Sequence, residues 1–263
     1  MSEYSEATNV KRSEKQLQKI RKAEVEAVKY LFDRNARVLE LGGGNGYQAS
    51  ILASWGCDVA SIDLPNRPIS SQVPYYPIQE YDGVNIPYPD ESFDVVFSCA
   101  VLPAIKALPM TLAETRRVLK HEGIAIHILE SRTWGIWTSL SRPVYLSQKL
   151  LQRLRRSASH APNMPSSARN TGKPNAFRRI KQVLFPGSWA GYPNVLVEIY
   201  YSSQGHWLSV FKENGFEVKW VSDTGLFYTG HALAPSLSLR ARRILSRFLG
   251  ASSNVFVMRK SKA

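Results

Sequence analysis

The sequence predicts an α/β protein built on a doubly wound parallel sheet, and three observations predict it. Short apolar runs alternate with amphipathic stretches of helical period over residues 15–131. A turn holding four glycines in five residues follows the first run, in Val38-Leu39-Glu40-Leu41-Gly42-Gly43-Gly44-Asn45-Gly46. The chain has 263 residues, 44% of them hydrophobic, enough for one sizeable core.

The elements follow in order. Ser13–Phe32 carries apolar residues at 17, 20, 25, 28, 31 and 32, close to a helical stripe, with Ser13 placed to cap it. "ARVLELG" is a short buried strand, and "GYQASILASWG" a helix stopping at Gly56. "DVASIDL" is a second strand closed by Pro65, and "PYYPIQEYDG" a weaker third, interrupted by prolines. "SFDVVFSCAVL" is an apolar fourth strand. "TLAETRRVLKHEG" predicts a helix ending at Gly123, and "IAIHILES" a fifth strand. Residues 133–197 interrupt the alternation and are too long for a simple loop. It resumes with a helix in "HWLSVFKENG" and strands in "FEVKWVSDTG" and "NVFVMRK", between which lies a second insertion at 225–250. The predicted organisation is therefore 1–131 as the ligand-binding half of a core, 132–205 as a basic cap, and 206–263 as the rest of the core.

Charge divides the chain unequally. Residues 1–130 hold 14 basic and 17 acidic side chains, whereas 131–263 hold 20 and 4, which accounts for the net charge of +13. The second half is built to meet something anionic. The two cysteines, Cys57 and Cys99, lie in apolar patterns that suit buried thiols rather than a disulfide or a zinc site. The opening residues "MSEYSEATNVKRSEKQ" lack the apolar stretch of a secretory signal, so a cytoplasmic protein is expected.

The glycines fit neither phosphate-binding pattern. A dinucleotide fingerprint needs a third glycine where Tyr47 or Ala49 stands, and a phosphate loop needs a Gly-Lys-Ser/Thr ending that is absent. The spacing present is Gly42-x-Gly44-x-Gly46, preceded by Glu40. This stretch resembles the first motif of class I S-adenosylmethionine-dependent methyltransferases. The blocks 81–102 and 112–128 resemble the family's later motifs, in the right order. The resemblance implies a seven-stranded, Rossmann-like sheet and S-adenosylmethionine as cofactor. It puts Glu40, Gly42, Gly44 and Gly46 beside the amino-acid tail and ribose. It gives Asp63 the ribose hydroxyls, Asp82 the adenine side, and Ser98 the floor near the methyl group. The histidine that many relatives carry after strand four is missing from Val101-Leu102-Pro103-Ala104-Ile105.

A base is needed only where the acceptor is a weak nucleophile such as a hydroxyl. His206 and His231 are the candidates, with Glu198, Tyr200, Tyr201 and Tyr228 near them in sequence. Segments 143–157 and 236–250 read as basic amphipathic helices, a pattern found at membrane surfaces and equally in a packed helix with a solvated face. Residues 225–233 carry a general resemblance to methyltransferases of bacterial polysaccharide and envelope pathways. A glycan, glycolipid or other envelope hydroxyl is thus the expected acceptor, reached from the inner membrane face. RNA, a small metabolite, and a sensor or scaffold role without turnover stay open as alternatives.

Overall fold

The structure, a computed structural model, describes residues 2–65, 74–158, 195–230 and 237–262. In chain order these form helix α1 (Ser2–Ala27), strand β1 (Arg37–Leu41), helix α2 (Tyr47–Ser54), strands β2 (Asp58–Asp63), β3 (Gln79–Glu80) and β4 (Phe93–Cys99), and helix α3 (Leu108–Val118). Strand β5 (Leu119–Glu130), helices α4 (Arg132–Ala158), α5 (Val195–Tyr201) and α6 (Gln204–Glu213), strand β6 (Phe216–Asp223), helix α7 (Leu239–Leu249) and strand β7 (Ser253–Lys260) complete the set. The strands make one sheet in the order β3-β2-β1-β4-β5-β7-β6.

Alternation along each strand sends side chains to two cores. On one face Leu39, Leu41, Ile62, Val96, Ala125 and Phe256 pack with Leu112 and Val118 of α3 and Trp207 and Phe211 of α6. On the other, Val38, Val59, Val95, Phe97, Ile126 and Val257 pack with Val25 and Val28 on the α1 side and Ala49 and Leu52 of α2. Covering both faces is what the apolar runs predict, and the α/β class is as expected.

The sheet departs from all-parallel at β7, which runs antiparallel to both β5 and β6. The cause is the second insertion. Strand β6 leaves the sheet at Asp223, and α7 brings the chain back to the same edge, where Asp223 pairs with Asn254. A strand that starts at the edge where its predecessor ended must run the opposite way.

Three local expectations are corrected. The first helix starts far before Ser13 and ends at Ala27, with a 3-10 turn over Lys29–Leu31. "LKHEG" is strand rather than helix end, because Leu119 pairs with Phe93, ahead of an irregularity in β5 after which Ile124 pairs with Val95. Gly123 serves that pairing, since a Cβ there would stand 2.9 Å from the Asp94 carbonyl oxygen. The third strand shrinks to Gln79 and Glu80, paired with Ile62 and Asp63.

Beneath the carboxyl ends of β4 and β5, a buried carboxylate collects four donors. Glu24 of α1 accepts from the Tyr228 hydroxyl (2.6 Å), the Ser253 hydroxyl (2.8 Å), Arg21 (2.7 Å) and the Cys99 thiol (3.5 Å). Arg21 also lies 3.9 Å from Glu130 at the end of β5. One side chain thus ties the first helix to Tyr228 and Ser253, 204 and 229 residues further along the chain. Glu24→Ala would leave Arg21 without its nearest carboxylate, and such losses cost about 3–5 kcal/mol. The expected outcome is a urea midpoint lowered accordingly, with a smaller loss for Glu24→Gln. An alanine variant as stable as the parent would remove this cluster from the forces holding the fold.

Candidate functional site

The carboxyl edge of the parallel strands is where an open α/β sheet presents ligand-binding loops. Strand β1 ends there in the glycine turn, beside β2 and β4. Gly42, Gly44 and Gly46 all adopt left-handed φ, at +75°, +57° and +77°. That backbone is strained for any residue with a Cβ, which explains why glycine recurs at alternate positions. Main-chain bonds hold the turn in place. The Gly42 and Gly43 amides donate to the Ile62 carbonyl at 2.8 and 3.1 Å, and Gly46 donates to Gly43 at 2.7 Å.

Neighbours wall the turn on three sides. A Cβ on Gly42 would strike Val101, one on Gly43 would strike the Ser61 hydroxyl, and one on Gly46 would stand 2.6 Å from the Tyr76 carbonyl oxygen. At Gly44 the same construction meets nothing within 4 Å among the described residues. The turn is therefore packed from below and open at its middle glycine. Gly43, which the sequence motif leaves as a variable position, is as constrained as the motif glycines. Its signal in the sequence is Ser61, two positions before Asp63, but only the register of β1 on β2 brings the two together.

Two carboxylates flank the turn. Asp63, at the tip of β2, accepts from the Gly44 amide at 2.6 Å and from Leu64 at 2.7 Å. Glu40 is buried; its Oε2 accepts from the Ser61 hydroxyl at 2.6 Å, and its Oε1 has no hydrogen-bond partner among the described residues. Burial pushes its pKa up to about 7, against the Ser61 hydrogen bond and with help from the negative charge of Asp63. A buried acceptor without a donor is costly, and it becomes favourable when a cationic or hydroxyl-bearing group arrives.

The other expected residues fall in different settings. Asp82 is exposed and closes its own turn, accepting from Val84, from the Asn85 amide and from the Asn85 side chain at 2.6–2.8 Å. Those bonds, the Asn85 side chain first, hold its carboxyl below the usual range. Ser98 is fully buried and shares a 2.7 Å hydrogen bond with Nδ1 of His127. His127 stacks on Phe211, and burial lowers its pKa to about 3, so the ring is neutral at pH 7. Of the two titratable residues near the end of β5, His127 and Glu130, it is His127 that is sealed in the core and paired with a serine.

His206 lies in the first turn of α6, where Ser203 caps the helix by accepting from its backbone amide. Its ring meets Tyr201 edge-on at 4.6 Å and neighbours Tyr200 and Trp207. Burial lowers its pKa, opposed by Glu213. Gln204 beside it donates to Asn254 at 3.1 Å, which sets this helix start at the same carboxyl edge as the glycines. Tyr228 is buried against Glu24 and belongs to the structural cluster, not to a lid. His231 lies outside the described residues. Two hollows, of about 600 and 470 Å³, open by Lys260 and by Asp94 at the opposite edge of the sheet; one of about 440 Å³ lies between the starts of α4 and α6.

Residues 39–127 match the family described as methyltransferase domain, a stretch from within β1 to within β5. Over 94 residues the chain is 31% identical to the biotin biosynthesis bifunctional protein BioHC of Cellvibrio japonicus, covering 34% of this chain and 18% of that protein. The chain thus spans under a fifth of that relative's length. It is also similar to solved S-adenosylmethionine-dependent methyltransferases from Mesorhizobium loti and Listeria monocytogenes, each at 14% identity. The first likeness covers 90% of this chain and 98% of the other at a TM-score of 0.51; the second covers 91% and 99% at 0.50. At such identity they establish the fold. The methyltransferase-domain match over residues 39–127 and the fold shared with solved S-adenosylmethionine-dependent methyltransferases agree with the glycine turn.

The turn fits the cofactor that this class implies. The open Gly44 admits close approach, and the unpaired Glu40 oxygen offers an acceptor beneath it. Among the described residues no group of three or more His, Cys, Asp or Glu side chains is placed to hold a metal ion.

Two outcomes follow. Gly43→Ala should cost about 1–3 kcal/mol in urea unfolding, because the new methyl must displace Ser61 from Glu40; unchanged stability would mean the turn has slack. The second concerns pH. Glu40 holds an extra proton in the fold between its ordinary pKa of about 4.3 and its raised value, so it favours the folded state less as pH rises through that window. A cationic ligand favours the ionised form, so S-adenosylmethionine affinity should rise as pH climbs through about 7. Calorimetry on either side of neutrality checks this, and Glu40→Gln should flatten the dependence.

Proposed function

We propose that the protein transfers the methyl group of S-adenosylmethionine to an acceptor hydroxyl on a glycan, glycolipid or other envelope-related molecule. The observation that carries the transfer is the glycine turn. Three left-handed glycines sit between Glu40 and Asp63 at the carboxyl edge of the sheet, packed below and open at Gly44. Bound there, S-adenosylmethionine supplies a methyl carbon already activated by its sulfonium sulfur. The chain's contribution is then chiefly placement, which can account for much of such a rate.

In this reading Asp63 accepts from the ribose hydroxyls while holding Gly44, and Glu40 faces the cationic part. Asp82 serves the adenine side by presenting its Asn85-closed turn. Ser98 supports the floor through His127 rather than by exposing its own hydroxyl. A hydroxyl acceptor must lose a proton, and His206 is the group we assign to take it. It stands at the right edge of the sheet, and its lowered pKa keeps the ring neutral and able to accept at pH 7. His231 is retained as the alternative base.

The acceptor class rests on composition and surface. Tyr200 is exposed beside His206 and offers a ring face on which a sugar can stack. Trp134 is packed with Ile20, Ala23, Leu226 and Tyr228 and offers no such face. The basic second half favours an anionic molecule or an anionic membrane carrying it.

The test is direct. Methyl-labelled S-adenosylmethionine incubated with the protein and a fractionated lysate should place label in the lipid and glycolipid fraction; label in RNA would overturn the acceptor and leave methyl transfer standing. Asp63→Ala should weaken cofactor binding by about 2 kcal/mol or more, roughly thirtyfold, in calorimetry. Unchanged affinity would remove Asp63 from the site.

A further inference from the structure

We infer that the outward face formed by α4 and α7 docks on an anionic phospholipid surface. The reading deepens the proposed function by naming where the chain meets the membrane, and its test needs neither cofactor nor acceptor. Helix α7 carries the main observation. The sequence sets Leu237, Ala241, Ile244, Leu245 and Phe248 against Arg240, Arg242, Arg243 and Arg247. The structure divides these residues differently. Arg242 is buried, donating to the Phe227 carbonyl oxygen at 3.2 Å, whereas Ile244 and Phe248 point to solvent together with Arg240, Arg243 and Arg247. Phe248 is 81% exposed.

Positions 240, 243, 244, 247 and 248 recur at three- and four-residue intervals, so they share one face. On that face an aromatic ring and an aliphatic side chain stand among three guanidinium groups. Among the described residues no carboxylate lies within ion-pair distance of those three arginines. Exposed rings on a soluble surface are ordinarily kept few, and clustered cations are ordinarily interspersed with anions. Here both rules are broken at the same place.

Helix α4 extends the face. Ile136, Leu140, Val144 and Leu151 are exposed at intervals of four, four and seven, an apolar stripe along a helix of 27 residues. The two helices meet where the Trp137 indole donates to the Leu249 carbonyl at 3.1 Å and Thr133 abuts Gly250. Ile136 and Phe248 are the immediate chain neighbours of that contact. Apolar side chains that enter the acyl boundary, ringed by arginines at headgroup level, fit a bilayer with acidic lipids. Among the described residues no helix is long and apolar enough to cross a membrane, so the mode is attachment along the surface.

The experiment is co-sedimentation of the full chain with vesicles of phosphatidylcholine alone or mixed with phosphatidylglycerol. Binding should require phosphatidylglycerol and weaken with added salt. Arg243→Glu with Arg247→Glu, and separately Ile244→Ser with Phe248→Ser, should each reduce partition about tenfold or more. All four positions face solvent, so thermal midpoints should stay unchanged and certify that the variants fold. Equal binding to both vesicle types, or retention by either double variant, overturns the proposal. So does tighter binding to single-stranded RNA that is lost with the arginines and indifferent to Phe248. Failure of vesicle binding with label transfer intact would refute this surface and spare the methyltransferase reading.

Discussion

A carboxylate without access to water sets the terms for this fold. Glu24 can be buried only because Arg21, Tyr228, Ser253 and Cys99 all donate to it, and those donors come from the first helix, the fourth strand, the last strand and the segment before α7. The first helix, the fourth strand and the closing part of the chain lie far apart in sequence. Each is positioned by the requirement that the charge be satisfied. The consequence reaches the glycine turn. With α1 fixed, Gln18 donates to the Tyr75 hydroxyl at 3.0 Å, and the Tyr75 amide donates to Asn45 at 2.8 Å. Tyr75 and Tyr76 are thereby held against the turn they help to wall.

Two strands end in polar pairs of different kinds, and the difference sorts structure from chemistry. Ser98 and Nδ1 of His127 share a hydrogen bond in a sealed environment and face the α6 side of the sheet, where Phe211 covers the imidazole. Glu130 faces the opposite side, near Arg21, and keeps about a fifth of its side chain exposed. Burial raises its pKa while Arg21 pulls it down. A histidine that cannot meet solvent is poorly placed to exchange protons with an acceptor. His206, half-buried at a helix start, is better placed.

Much of the architecture was legible in the chain because apolar alternation and glycine spacing are local properties. The strands carrying Val38–Leu41, Val59–Ile62 and Val95–Cys99 announce themselves by β-branched and apolar runs. The direction of β7 was not legible, because it depends on which edge α7 returns to. "LKHEG" misled for a related reason: a basic helix end followed by glycine and a strand carrying a close-contact glycine look alike until the partner strand is known. The motif residues Glu40, Gly42, Gly44, Gly46 and Asp63 could be named from spacing, whereas Gly43 and Ser61 emerge only from register. Arg242 shows the limit of helical patterning. Its helix neighbours Arg240, Arg243 and Arg247 stand exposed, whereas the backbone carbonyl of Phe227 offers Arg242 a buried partner.

The glycine turn has one more property. Its contacts come from Ser61 on β2, Val101 beyond β4 and Tyr76 ahead of β3, so three separate parts of the sheet edge grip it. A flexible glycine-rich loop would lose conformational entropy when a ligand ordered it, on the order of 1–2 kcal/mol for each residue fixed. This one has already surrendered that freedom on folding. Binding can therefore draw on the full strength of the contacts it makes, and the glycines act here as rigid geometry rather than as slack.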